Sequence, residues 1–229
     1  MNNAVYVIIV EGLDASGKES LTNAIVDKLE TEINETCKVI KEEFPRYGTR
    51  TGETIKRILY GELKDMKPEL PKFFEMDRTD YMTRLIEKQI KADVYVFDRY
   101  ARSNVYCNLC REDVIEASKK EMELMADTIK SVNPDKEIRL IEICINYDFT
   151  NEETLAESVK LHESYMGTRG TLDENETLSK QMLFAKAMEE SYDVYDVPEY
   201  RLHLGFDIDA FANNMVKMLG YSFKEYKVV

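Results

Sequence analysis

Short β-branched apolar runs alternate with longer stretches of helical periodicity along this chain. Ala4–Val10 (AVYVIIV) is apolar at every position, the pattern of a strand buried on both faces. From Gly17 to about Asn34, Leu21, Ala24, Ile25, Leu29 and Ile33 recur at helical intervals, which predicts a helix with one apolar face. Lys38–Ile40 is a weak second strand. Thr54–Tyr60 and Phe73–Ile90 read as helices, the longer one carrying Phe73, Met76, Tyr81, Leu85 and Ile90. Val94–Phe97 is a third strand, followed by a polar turn and a helical stretch to about Val132. Ile138–Ile145 (IRLIEICI) is a fourth strand. Helices return over Glu152–Leu161 and Glu174–Tyr195, separated by the glycine-containing loop Met166–Thr171. Tyr200–Leu204 is a last strand and Ile208–Leu219 a closing helix. Strands that alternate with helices need crossover connections. The expectation is therefore an α/β fold: a doubly wound five-stranded parallel sheet with helices on both faces. No internal repeat or Pro/Gly/Ser linker divides the 229 residues, so one domain is expected over 1–229.

Composition narrows the function. The chain is 44% hydrophobic and 33% charged, enough to bury a full core. Its longest apolar run, Ala4–Val10, is far short of the ~20 residues that span a bilayer, so no membrane association is expected. No basic-then-apolar signal segment opens the sequence, which suggests a cytoplasmic protein. Lys and Arg total 31 against 44 Asp and Glu, a net charge of −13. That surface repels a nucleic-acid backbone and argues against polymer DNA or RNA as a partner. The four cysteines, Cys37, Cys107, Cys110 and Cys144, are expected to be reduced thiols. Cys107-Asn-Leu-Cys110 has the C-x-x-C spacing, but it has no second ligand pair for zinc and no thioredoxin-like setting, so coincidence is the favoured reading.

The chemistry begins where the first strand ends. Gly12-Leu13-Asp14-Ala15-Ser16-Gly17-Lys18 fits G-x-x-x-x-G-K between a buried strand and a helix, the context in which that motif cradles a polyphosphate. Glycines let successive N–H groups turn inward, the helix N-terminus adds its dipole, and Lys18 brings charge to the β/γ-phosphates. Ser20 closes the segment. The residue after the lysine, normally a Ser or Thr whose hydroxyl binds Mg²⁺, is Glu19. Glu19 either contacts the metal or is a solvent-facing acid in the first turn; the second reading is preferred, because the helix dipole favours it there.

A phosphate loop alone leaves GTPases, motors and small-molecule kinases open. The N-K-x-D motif by which GTPases read guanine is absent from the sequence. Three further segments are Phe44-Pro45-Arg46-Tyr47-Gly48, Phe74-Glu75-Met76-Asp77-Arg78 and Asp98-Arg99-Tyr100-Ala101-Arg102-Ser103-Asn104. With Glu11–Lys18 (E-G-x-D-x-x-G-K), and in this order and spacing, the chain resembles the thymidylate kinase family over roughly residues 4 to 110. The resemblance implies ATP as phosphate donor, dTMP as acceptor, Mg²⁺ and a homodimer. It implies that Asp98 holds the metal and that Arg99 bridges the two substrates' phosphates. Asp14 takes the position that receives the acceptor's 3′-hydroxyl; Arg46 and Tyr47 take those at its phosphate. Phe74 corresponds to the base-stacking aromatic, Arg78 and Asn104 to the base-edge readers, and Phe44 and Ser103 complete the acceptor site. Cys107 stands where relatives often carry an aromatic near the sugar, which suggests looser discrimination, dUMP included. The resemblance also implies a mobile lid at about 162–172. Ala15 and Ser16 leave the phosphate loop without an arginine, so Arg169 is the expected lid residue, followed by an acidic helix start at Leu172–Glu176. The alternatives are a P-loop kinase for another nucleotide or nucleoside, or a nucleotide-binding protein without turnover.

Overall fold

The computed structural model describes residues 4–32, 37–167 and 177–224. Five strands, β1 (Ala4–Gly12), β2 (Val39–Glu43), β3 (Val94–Asp98), β4 (Glu137–Asn146) and β5 (Glu199–His203), pair in the order β2-β3-β1-β4-β5. Every pairing is parallel. β1 lies at the centre, so both of its faces need cover, and all nine of its residues are buried. Tyr6, Ile8 and Val10 face one side with α1 (Lys18–Glu32), α7 (Leu178–Ser191) and α8 (Ile208–Lys224), where Leu21, Leu29, Met188 and Leu219 complete the cluster. Val5, Val7 and Ile9 face the other, against α3 (Leu70–Glu87) and α5 (Glu112–Val132), with Tyr81, Leu85, Met125 and Ile129. The two-residue alternation of a strand thus divides one apolar run between two cores.

The remaining helices are α2 (Arg50–Leu59), α4 (Ala101–Cys107) and α6 (Glu152–Met166), with a 3₁₀ turn over Lys64–Glu69. Three expectations are corrected. The helical stretch after β3 is two helices, because the chain turns left-handed at Leu109 (φ 53°) and Cys110 (φ 54°). α2 starts at Arg50 instead of Thr54, because the Thr49 side chain accepts the Gly52 N–H at 3.0 Å and caps the helix early. α7 ends at Ser191, short of Tyr195, and Asp193 has φ 63°. The expected start of that helix at Glu174, the Leu172–Glu176 segment and Arg169 lie outside the described residues. Among the described residues, no helix is long and apolar enough to cross a membrane.

Because all five strands run the same way, their C-terminal ends share one sheet edge. The loops after β1, β2 and β3 leave from that edge and carry the candidate chemistry.

Candidate active site

The loop after β1 has the close approaches a phosphate cradle needs. A Cβ on Gly12 would lie 2.5 Å from Ser16 Oγ and 3.1 Å from the Ile145 carbonyl, so a larger residue would force Ser16 and the loop to shift. Gly17 has φ +89° and Ala15 φ 58°. Ser16 Oγ is buried with no hydrogen-bond partner among the described residues, as fits a group whose partner is an incoming phosphate oxygen. Lys18 is buried at the head of α1; its Nζ donates to the Leu13 carbonyl at 2.9 Å and lies 3.9 Å from Asp14 Oδ1. Glu19 and Ser20 are exposed in the first helical turn.

Arg99, the residue after β3, is locked to this loop. Its backbone is left-handed (φ 66°), and its N–H donates to the Val10 carbonyl at 2.9 Å, which turns the side chain across the strand ends. One guanidinium nitrogen donates to the Gly12 carbonyl at 2.9 Å and to Ser103 Oγ at 3.2 Å; the other pairs with Asp14 Oδ1. Buried Glu11 holds the same junction from below, accepting the Tyr100 N–H at 2.7 Å and the Ser103 N–H at 3.2 Å, as well as the Ser103 hydroxyl. Asp14 is gripped a second time by α7: its N–H donates to Gln181 Oε1 (3.1 Å), and Gln181 Nε2 donates to its carboxylate (3.0 Å).

A cleft of about 960 Å³ opens over these groups. Its floor holds Lys18, Arg99, Asp98 and Asp14. One end is walled by Tyr47, Leu70, Pro71, half-buried Phe74, Arg78 and Asn104, with Cys107 exposed beside them. The other end is formed by Gln181, Phe184, Gly205, Phe206 and Ile208. That second end carries no motif, and the sequence reading missed it. Phe44 touches the cleft but belongs to an aromatic core, edge-on to Tyr81, Phe97 and Tyr100 at 5.5–5.8 Å. Arg78 lines the cleft while chelating Glu121 through Nε (2.5 Å) and a terminal nitrogen (3.0 Å), which fixes the plane of its guanidinium. Asn104 donates to the Pro71 carbonyl at 3.1 Å.

Arg46, expected at the acceptor phosphate, has a buried Nε and one buried terminal nitrogen with no hydrogen-bond partner among the described residues, as fits groups whose partner is a phosphate oxygen. It is 6% exposed and does not line the cleft. The other terminal nitrogen contacts Asp77 Oδ1 (3.1 Å), the Asp77 carbonyl (2.7 Å) and Asp80 (2.6 Å), and the guanidinium lies 5.4 Å from the Tyr81 ring. Its neighbour Tyr47 lines the cleft.

Glu43, also missed in the sequence, ends β2 in register with Asp98 at the end of β3. The Glu43 carboxyl sits above the usual carboxylate range, first through desolvation and then because the Asp98 and Glu19 carboxylates face it. Glu43 and Asp98, side by side at the strand ends beside the phosphate loop, offer hard oxygen donors of the kind a divalent cation takes.

The comparisons agree with this geometry. A sequence model of the thymidylate kinase family matches residues 10–140. A probable thymidylate kinase of Methanococcus vannielii is 33% identical over 98 residues, 43% of this chain and 44% of that protein. The match therefore spans less than half the length of that curated relative. A solved thymidylate kinase from Candida albicans superposes with a TM-score of 0.56 at 16% identity, covering 94% of this chain and 91% of that one. With more than half of its length matched by the family and the same fold around its phosphate loop, the chain belongs to the thymidylate kinase family.

Proposed function

We propose that residues 1–229 form one kinase domain that transfers the γ-phosphoryl group of ATP to dTMP, giving dTDP and ADP. The observation that carries this reading is the lock between Asp14 and Arg99, which joins the phosphate loop to the rest of the cleft at its midpoint. ATP then lies with its phosphates on residues 12–20 and its base toward Phe206 and Ile208. The acceptor lies at the other end, its base on Phe74 with Arg78 and Asn104 at the edge, and its 3′-hydroxyl on Asp14. A phosphate oxygen of dTMP attacks the γ-phosphorus in line as the bond to the β–γ bridging oxygen breaks, without a covalent intermediate. Lys18 and Arg99 hold the charge that spreads over the transferring oxygens. Asp98 and Glu43 would hold Mg²⁺, which supplies charge neutralisation at the ATP phosphates, while Glu19 faces solvent in the first turn of α1. Arg169 is the proposed lid residue. Arg46, whose Nε and second terminal nitrogen have no partner among the described residues, and Tyr47 are the proposed contacts of the acceptor phosphate.

The four free cysteines support a cytoplasmic setting, and the exposed Met76 and Leu124 support a homodimer. A product that feeds dTTP synthesis completes the reading. The test is a panel of nucleoside monophosphates and nucleosides with ATP: dTMP should lead, with dUMP second. Cys107→Tyr should widen the gap between them by a few-fold, the range of one packing contact in a pocket. Preference for a purine monophosphate or for a nucleoside would overturn the reading.

A further inference from the structure

Asp14 is held at a third point that the proposed reaction does not use. His162, on α6, is completely buried, and its Nε2 lies 2.5 Å from the Asp14 main-chain carbonyl, 148 residues away in sequence. Its Nδ1 lies 2.5 Å from the hydroxyl of Tyr147, just past the end of β4, and the two rings meet edge-on at 5.4 Å. Burial pushes the Tyr147 phenol up to about 12, so its hydroxyl keeps its proton and donates to Nδ1. The imidazole hydrogen is thereby placed on Nε2, where it donates to the loop carbonyl.

This arrangement is more than core packing. Gln181 on α7 binds the N–H and carboxylate of Asp14, while His162 on α6 binds its carbonyl. The helices on either side of residues 168–176 therefore each bind the same loop residue. An unbonded carbonyl there would let the peptide plane rotate, turning the Asp14 carboxylate and the N–H groups that follow it.

We propose that His162 is a positioning residue, holding the Asp14 peptide so that the carboxylate faces the acceptor sugar. The acceptor part rests on the proposed dTMP reading; the hold on the loop does not. Two measurements separate them. Kinetics should compare dTMP with 3′-deoxy-dTMP in wild type, His162→Leu and His162→Gln. Since a displacement of ~1 Å can cost 10²-fold, His162→Leu should lower kcat on dTMP ~10- to 100-fold with KM for ATP little changed. Its effect on the 3′-deoxy acceptor should stay within about threefold, because that substrate lacks the group Asp14 receives. His162→Gln, which keeps an N–H donor, should recover most of the rate. Hydrogen exchange on the ligand-free protein should show faster exchange of the peptide over residues 11–20 in His162→Leu, about tenfold, as expected for loss of a local restraint. Equal kinetic losses on both acceptors, or unchanged loop exchange, would overturn the proposal. Wild type inactive on dTMP would sink the acceptor assignment, and the exchange result would still decide whether His162 holds the loop.

Discussion

Replacing Arg102 by Met removes the centre of a buried charge cluster that does not line the cleft, and its effect on stability should depend on pH. Arg102 is 0% exposed. It chelates Glu142 at 2.9 and 2.6 Å, meets Glu199 at 2.7 Å and Ser191 Oγ at 3.2 Å, and lies 4.9 Å from the Tyr195 ring centre. Glu142 is only 1% exposed, and desolvation raises its carboxyl from 4.5 to about 7 despite the guanidinium, which pulls it down. A carboxyl raised on folding binds more protons folded than unfolded, so it lowers stability as pH climbs from the unfolded value to the folded one. At ~1.4 kcal/mol per pH unit, the range from 4.5 to about 7 amounts to roughly 3–4 kcal/mol. In wild type that loss levels off above the folded value. In Arg102→Met the folded carboxyl rises further, so the loss continues above pH 7.

Removing one partner of a buried pair costs ~3–5 kcal/mol. Urea unfolding should therefore give a destabilisation near the low end of that range at pH 6, growing by about 2 kcal/mol at pH 8.5. Adding Glu142→Gln should abolish the growth with pH, since an amide does not titrate. The same destabilisation at both pH values, or a loss below ~1 kcal/mol, would refute the reasoning.

Lys18→Met should lower kcat by at least ~10²-fold, the scale of removing one preorganised charge at a transition state, with melting temperature preserved; retention of a tenth of the rate would contradict its role. Gly12→Ala forces the contacts with Ser16 Oγ and the Ile145 carbonyl, and overpacking of that kind costs ~1–3 kcal/mol in unfolding experiments; Gly12→Ala with Ser16→Ala should recover part of it, and no recovery would exclude Ser16 as the clash. Glu43→Gln should raise the Mg²⁺ concentration for half-maximal activity several-fold. Glu19→Thr should leave that midpoint unchanged, and a shifted midpoint would make Glu19 a metal contact.

Much of this was legible because it is local. The unbroken run in β1 marks a central strand with two buried faces, and the glycine spacing that follows marks the cradle. What was hidden depends on partners distant in sequence. That Asp77 and Asp80, a helix away, hold one terminal nitrogen of Arg46 is announced by no local motif. Glu43 gains meaning only through its register with Asp98. His162 carries no signal in the sequence, because the carbonyl it binds has no side-chain signature. The break between α4 and α5 was missed because apolar spacing continues through Leu109 and Cys110, whose left-handed backbone no periodicity reveals.

Phosphorus NMR on the purified protein with ATP, dTMP and Mg²⁺ tests the central claim most directly. The account predicts that the dTMP signal falls while the two signals of dTDP and those of ADP rise in equal amounts, without free phosphate. ATP consumed with release of inorganic phosphate, or dTMP left unchanged while another acceptor is phosphorylated, would contradict it.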